Sequence, residues 1–399
     1  MNKNFKKSIL KDPLYIAKKL IKFPSETPKD EGVLFFLEDL LKELGFKCYR
    51  MPSGKKNQKG KDALVNNLYA TKGKGKNLCF AGHVDVVPAG NISAWKFPPY
   101  KSMVHNGYLY GRGAADMKGA IAAFVAASAR YMNDKELDFN LSLLITGDEE
   151  GIAEHGTKSM LPRLKKIKKK INHCIVGEPT NPNKIGEMIK IGRRGSLHGN
   201  ITIIGIQGHV AYPDKVENPL PIMSKIVKAL SCKVLDKGNK HFQASNLEFL
   251  SIDTGNIVDN VIPSEIKAKF NIRFNTLQTE KKLRNIIIKE IKKEIKNNKD
   301  IKWNLELALS GEPFLTKPNE FTNIVSNSVF KITGVKPELS TSGGTSDARF
   351  IKNICPVIEF GSVGKTMHKI NEKISIKDLE SLTKIYYEII NGYQQIALK

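Results

Sequence analysis

One histidine and one aspartate stand two residues apart just after an apolar segment. The run 77–80 predicts a buried strand, and His83 and Asp85 follow it. Because side chains at positions i and i+2 of an extended segment point to the same side, the imidazole and the carboxylate should lie close together. A carboxylate beside a metal-bound imidazole orients the ring and raises its basicity. Alone, the pair fits a metal ligand and a buried histidine satisfied by its neighbour equally well.

Further acids and a second histidine also follow apolar segments. Asp116 sits in a glycine-rich turn before an apolar helix, three acids occupy 148–150 at the end of an apolar strand, and Glu178 ends another strand. His368 lies in a polar loop. Each signal has an ordinary alternative: a helix N-cap for Asp116, an exposed turn for 148–150, and a solvent-facing loop side chain for His368.

As a set, these positions predict a metal site. Open α/β sheets place their sites outside the carboxyl ends of the strands, where these residues fall. Two histidines with three or four carboxylates suit two divalent ions of the zinc type. Such ions lower the pKa of bound water to about 7 and polarise a carbonyl group. A carboxylate that does not bind a metal could then act as general base.

The predicted helices and strands that position these residues follow different patterns in different parts of the chain. The first short apolar runs are 64–70, 77–82, 140–146 and 173–177. They alternate with a helix at about 117–132, which predicts a layered α/β domain with a largely buried sheet. From 195 to 309 the order is strand, helix, strand, strand, helix, strand, which suits a two-layer α+β domain with an antiparallel sheet. An apolar strand at 354–360 then returns to the α/β pattern of the first part of the chain.

A chain of 399 residues is too long for one ordinary core. We therefore predict a catalytic domain in two parts, 1–190 and 310–399. A smaller domain is inserted between them at 191–309.

The net charge of +24 has three interpretations. The lysine runs 165–170 and 289–296 have helical spacing and predict solvated helix faces, which favours a compositional bias. Steering of an anionic substrate is the second interpretation, and nucleic-acid binding, which lacks any recognisable module here, is the third. No apolar run reaches the length of a membrane span, and five scattered cysteines without a CxxC pair suit a reducing compartment. We expect a cytoplasmic protein that binds neither nucleic acid nor membrane.

The segments that contain these histidines and acids, in this order, resemble the M20 family of dinuclear zinc amidohydrolases and peptidases. The resemblance covers nearly the whole chain. It implies a layered αβα catalytic domain with a zinc-peptidase-like mixed sheet, and an inserted two-layer βαββαβ dimerisation domain. Longer strings narrow it to the members that convert N-succinyl-LL-2,6-diaminopimelate and water to succinate and LL-2,6-diaminopimelate, in lysine biosynthesis. These strings are 192–197, 205–213, 260–263, 270–274 and 342–347.

The resemblance implies two zinc ions per subunit, for which cobalt can substitute. Asp116 would bridge the two metals. His83 and Glu178 would hold one, and Glu150 and His368 would hold the other. The peptide bond after Asp116 is cis in the family.

Three further residues are implied to act in catalysis. Glu149 would be the general base, and Asp85 would orient the neighbouring imidazole of His83. His209 belongs to the inserted domain, which makes the homodimer in the family, and would reach the active site of the partner subunit to stabilise the oxyanion. A donor placed where negative charge develops is often worth several kcal/mol.

A small substrate with several carboxylates also needs groups that hold it. Arginine offers a two-pronged donor that matches a carboxylate. The residues implied to bind the substrate are Arg193, Ser196, Asn260, Arg273 and Thr345.

Two rival functions stay open at this point. Another amidohydrolase of the family, such as an acetylornithine deacetylase or a carboxypeptidase-like enzyme, would share the metal motifs. A non-catalytic basic binding protein is suggested only by the charge.

Overall fold

The chain forms two structural units in the computed structural model, which describes residues 8–56, 58, 60–296, 298 and 300–398. The second unit comprises Gly192–Leu315 and Thr341–Thr345. The first comprises the described residues on either side of these segments.

The strands are numbered in chain order. They are β1 Lys47–Arg50, β2 Leu68–Lys72, β3 Asn77–His83, β4 Met103–His105, β5 Tyr108–Tyr110, β6 Asn140–Thr146, β7 His173–Val176, β8 Met188–Lys190, β9 Gly192–Arg193, β10 Gly195–Ile204, β11 Gly208–His209, β12 Asn246–Asp253, β13 Val261–Ile262, β14 Glu265–Phe274, β15 Lys302–Gly311, β16 Phe314–Leu315, β17 Glu338–Ser340, β18 Val357–Glu359 and β19 Lys373–Ser375.

The α-helices are numbered in the same way. They are α1 Pro13–Ile21, α2 Val33–Glu43, α3 Gly119–Asp134, α4 Thr157–Lys166, α5 Pro219–Ser231, α6 Glu280–Ile295, α7 Glu320–Thr333, α8 Ala348–Ile351 and α9 Ile376–Ala397. Among the described residues, none of the helices has the length and apolar character needed to cross a bilayer.

The first unit is built on a mixed sheet with the strand order β1-β2-β6-β3-β7-β18-β8-β17. Its central strands β6, β3, β7 and β18 are parallel neighbours, while β1, β2 and β8 run against theirs. Every residue of β3 is buried. A strand covered on both faces reads as a continuous apolar run rather than an alternating one, which is the pattern of 77–82.

Helices cover this sheet and enclose its core. The alanine-rich helix α3 is buried along almost its whole length and packs against α1 and α9, and α9 also packs against α7. The short α8 packs against α4 and β18. This mixed α/β architecture confirms the predicted layered domain.

The second unit is an antiparallel four-stranded sheet in the order β12-β14-β10-β15, with α5 and α6 on one face. Strand β14 alternates buried and exposed side chains, and its buried members include Phe270 and Ile272. That period of two places one face of the sheet on the helices and leaves the other face polar. The predicted βαββαβ order is therefore confirmed.

The second unit extends beyond residue 309, where we expected the insertion to end. Strand β15 continues to Gly311, which pairs with Ser196 of β10, so a boundary at 309 would cut a paired strand. The two-residue strands β9 and β16 then pair with each other.

Candidate metal centre and active site

His83 occupies the carboxyl end of β3, between parallel strands. It lies opposite Thr146 of β6 and is 1% exposed. Its Nδ1 atom lies 2.9 Å from the main-chain oxygen of Asp85, whereas the Asp85 carboxylate is 3.7 Å away. With its proton on Nδ1, the ring donates to that carbonyl and keeps the Nε2 lone pair for a metal. The two side chains are close, as expected, but the main chain of Asp85 makes the hydrogen bond.

The Asp85 carboxylate instead fixes the turn that follows β6. It accepts the main-chain N–H of Glu149 at 3.1 Å and that of Glu150 at 3.0 Å. Burial raises the pKa of Asp85 to about 6, against the lowering effect of His83 and of the two N–H groups. Asp85 thus connects the end of β3 to the turn that carries two predicted functional acids.

Asp116 lies at the centre of the cluster. Its turn, Ala114–Lys118, has non-helical dihedral angles at Asp116 and Met117, and α3 begins only at Gly119. The N-cap alternative is therefore wrong. The Oδ1 atom of Asp116 lies 3.1 Å from Nε2 of His83, and Oδ2 lies 3.1 Å from Nε2 of His368. The Asp116–Met117 peptide bond is cis.

Two groups of ligand atoms share Asp116. His83, Asp116 and Glu178 form one group, and Asp116, Glu150 and His368 form the other. Within each group the ligand atoms lie within 4.8 Å of one another, and His368 Nε2 is 2.8 Å from a Glu150 oxygen. The half-exposed His368 faces the acids, which excludes the reading of a purely solvent-facing side chain. Imidazole and carboxylate donors in this proportion suit zinc.

Glu149 is left outside these two groups. It does share a third group with His83 and Glu150, but two ions bridged by Asp116 would already use both of those residues. Burial raises the pKa of Glu149 well above its usual range, and Glu178 adds to the effect. A carboxyl held near a cation site with a raised pKa is suited to accept and return a proton.

The charges in the cluster compensate one another only in part. Burial lowers the pKa of His83, but contacts with Asp116 and Glu178 outweigh it and raise the pKa well above the ordinary value. Hydrogen bonds to Asp116 and Glu150 raise the pKa of His368 to about 10. The same imidazoles hold the pKa of Asp116 below its usual range, against burial. Carboxylates this close together repel one another unless cations lie between them, and a divalent metal would supply that positive charge.

The remaining predicted residues lie in the second unit and fall into two pairs and two single positions. Ser196 and Arg273 face each other across β10 and β14. His209 pairs with the residue after Asn260, and its exposed ring accepts the Ala211 N–H on Nδ1. The other two are Arg193, which donates to the Ser342 carbonyl at 3.1 Å, and Thr345.

Arg273 has the character of an anion-binding residue. Burial and the nearby Arg194 lower the pKa of its guanidinium. Arg194 donates to Asn246, but the Arg273 side chain makes no hydrogen bond or ion pair within the part of the chain that the structure describes. A half-buried cation beside another cation favours an anionic ligand.

Two buried residues that hold the cluster were missed from sequence. Arg112 and Glu372 form an ion pair of 2.9 Å behind Asp116, and both are almost fully buried. Arg112 lies four residues before Asp116 and Glu372 lies four residues after His368, so the available signal was a charged residue close to each predicted ligand.

Comparison with known proteins identifies the family. A sequence profile of the peptidase family M20/M25/M40 matches residues 79–392. The chain belongs to this family. Among curated M20 relatives, the succinyl-diaminopimelate desuccinylase of Pelagibacter ubique is 52% identical over 380 residues, covering 95% of this chain and 98% of the relative. The enzyme of the same name from Rhodospirillum centenum is 48% identical over 96% of this chain and 97% of the relative.

Solved M20 structures share the fold. A tripeptidase from Staphylococcus aureus superposes with a TM-score of 0.77 at 19% identity, covering 98% of this chain and 99% of the other. An M20 metallo-carboxypeptidase from Sulfolobus solfataricus gives 0.74 at 21% identity, covering 96% and 99%. A dinuclear metal-binding M20 peptidase from Bacillus subtilis gives 0.70 at 14% identity, covering 96% and 98%. At these identities the likeness concerns the fold alone.

Proposed function

We propose that this chain hydrolyses N-succinyl-LL-2,6-diaminopimelate to succinate and LL-2,6-diaminopimelate, a step in lysine biosynthesis. The observation that carries the proposal is the 52% identity over 95% of the chain to a curated succinyl-diaminopimelate desuccinylase. The metal-ligand groups and the strings particular to that activity are all present in this sequence.

In this proposal the metal centre would hold two zinc ions, for which cobalt could substitute. His83, Asp116 and Glu178 would hold one, and Asp116, Glu150 and His368 the other. The two ligand groups that share Asp116 support this assignment. When bound, such ions make water acidic enough to react near neutral pH and polarise the amide carbonyl.

The protein's own residues then move the proton and hold the developing charge. Glu149 accepts the proton of the attacking water and passes it to the amine that leaves. His209 of the partner subunit donates a hydrogen bond to the developing oxyanion. Asp85 holds the turn that carries Glu149, because its carboxylate accepts the N–H of that residue.

The charged substrate is held by residues of the second unit. Arg273 supplies a half-buried guanidinium opposite Ser196, and Arg193, Asn260 and Thr345 complete the proposed set. A succinyl carboxylate and the α-carboxylates of diaminopimelate each match an arginine fork.

We also propose that the chain forms a homodimer through the inserted domain. Strand β12 is one of the two edges of the four-stranded sheet, and its Leu250 and Ile252 are 65% and 52% exposed. An edge strand with exposed apolar side chains is an unpaired template unless another chain covers it. Association there would bury these side chains. A cytoplasmic location is supported by the cysteines of the described chain, which are free thiols.

A substrate panel tests the proposed activity. With zinc or cobalt added, kcat/KM for N-succinyl-LL-2,6-diaminopimelate should exceed that for N-acetylornithine and for simple dipeptides by about 100-fold or more. The rival substrates lack the additional carboxylates of the succinylated substrate, and a site built to pair carboxylates discriminates strongly against substrates that leave its donors unpaired. Preference for N-acetylornithine would assign the chain to the deacetylases of the family, and preference for dipeptides to its peptidases. Either result would overturn the proposal.

A further inference from the structure

Glu372 is a fully buried carboxylate that supports the turn carrying Asp116. Its Oε1 atom accepts the main-chain N–H of Ala115 at 2.9 Å and of Asp116 at 3.1 Å. Its Oε2 atom accepts the N–H of Gly113 at 3.0 Å and the guanidinium of Arg112 at 2.9 Å. Each oxygen therefore satisfies two donors, and one side chain accepts three main-chain N–H groups of this turn and its approach.

Arg112 extends this support to the loop of the second histidine. The guanidinium donates to the main-chain oxygen of Lys369 at 3.2 Å and to that of Pro88 at 3.1 Å. Lys369 directly follows His368. One buried ion pair thus joins the Asp116 turn to the His368 loop.

The His368 loop has a backbone that needs such support. His368 and Asn371 have φ angles of +61° and +62°, a left-handed region that residues with a Cβ adopt at a cost. The Asn371 side chain accepts the Lys96 N–H at 2.6 Å. The Thr366 hydroxyl donates to the Lys373 carbonyl at 2.9 Å and closes the loop. The Arg112 contact to Lys369 lies between these two anchors, beside the histidine itself.

We propose that Glu372, acting with Arg112, is a positioning residue that sets the distance between Asp116 and His368. It thereby determines the metal affinity of the group formed by Asp116, Glu150 and His368. The inference rests on the metal centre of the proposed function. It adds that this second group is assembled by a carboxylate that binds no metal itself.

The bonding pattern makes glutamine a poor substitute. Both oxygens of Glu372 accept two N–H donors each, whereas an amide has only one oxygen. Whichever way the amide turned, its NH₂ group would face N–H donors, either those of Ala115 and Asp116 or those of Gly113 and Arg112. E372Q conserves shape and volume but should loosen one half of this support.

The experiment titrates metal-free protein with zinc and with cobalt against a chromophoric chelator, which resolves two dissociation constants. In E372Q the dissociation constant of one site should rise about 10- to 100-fold, the range found when partners of metal ligands are removed. The other site should change less, because it shares only Asp116 with the weakened site and takes its other two ligands, His83 and Glu178, from outside the Asp116 turn and the His368 loop. A high metal concentration should restore turnover.

The matched control is E380Q. Glu380 also forms a two-pronged ion pair with an arginine, Arg130, in the same unit. Arg130 lies eleven residues along α3 from Gly119, where the helix follows the Asp116 turn. This spacing corresponds to about 16 Å along the helix axis. Both dissociation constants of E380Q should stay within about twofold of the wild type.

Three outcomes would overturn the inference. In the first, E372Q has a lower unfolding temperature but both metal constants of the wild type, which means that Glu372 is only structural. In the second, E372Q does not fold and the milder R112K, which should weaken the same site less, shows unchanged constants. In the third, the wild type binds no pair of metals, and then the metal centre of the proposed function fails with it.

Discussion

Replacing Glu149 by glutamine separates the proposed base from the metal ligands. E149Q keeps the shape of the side chain but removes the proton acceptor. The two ligand groups that share Asp116 do not include Glu149, so both metals should remain bound. Loss of a general base typically lowers kcat by about 10²- to 10⁴-fold, which corresponds to roughly 3–5 kcal/mol of transition-state stabilisation.

The metal-free form of E149Q should also differ from the wild type in its response to pH. Burial and Glu178 raise the pKa of Glu149 from its ordinary value of 4.5. A carboxyl with a raised pKa binds its proton more tightly in the folded state, so its contribution to stability is present below pH 4.5 and is lost as pH rises through the folded pKa. The glutamine cannot ionise. The unfolding temperature of metal-free E149Q should therefore exceed that of the wild type by more at pH 8 than at pH 5.

The assay combines steady-state kinetics, metal analysis and calorimetry, with E150Q as the neighbouring control. Glu150 lies 2.8 Å from His368, so E150Q should lose one metal together with activity. Activity of E149Q within tenfold of the wild type would refute the base assignment. Loss of a metal from E149Q would show that this residue is a ligand instead.

Three other substitutions test separate parts of the account. D85N should lower kcat about 10- to 100-fold with both metals retained. The reason is that the His83 ring bonds to the main chain of Asp85, whereas the Asp85 carboxylate holds the turn that carries Glu149. Loss of metal in elemental analysis would contradict this prediction. R273K should raise KM for the succinylated substrate about tenfold or more in steady-state assays, and an unchanged KM would exclude Arg273 from substrate binding. If the proposed homodimer forms, I252K should convert it to a monomer in sedimentation and remove activity with it; a fully active monomer would show that His209 does not act across subunits.

Local patterns were sufficient to predict the elements that carry the metal ligands. The run 140–146 was predicted to be a strand and forms β6 with the same limits, because a buried central strand is mostly apolar. The alanine-rich segment before residue 134 forms the buried helix α3. The order strand, helix, strand, strand, helix, strand over 195–309 predicted a two-layer domain with an antiparallel sheet, and one face of that sheet packs on α5 and α6.

What could not be predicted depends on contacts between distant segments. The pattern His83-x-Asp85 indicates that two side chains are close, but not that the main chain of one would bond the ring. Arg112 and Glu372 are 260 positions apart and meet only after folding. The second unit extends past residue 309 because Gly311 still pairs with Ser196 of β10, a pairing that no local signal in the sequence indicates.

The proposed hydrolysis of the succinyl amide can be tested by running the reaction in water enriched in ¹⁸O and analysing both products by mass spectrometry. Attack of water on the succinyl amide carbonyl places the new oxygen on succinate. The proposed hydrolysis should give one ¹⁸O atom in succinate, none in LL-2,6-diaminopimelate, and equal amounts of the two products in the presence of zinc or cobalt. Absence of succinate from metal-loaded protein, or label in diaminopimelate, would contradict it.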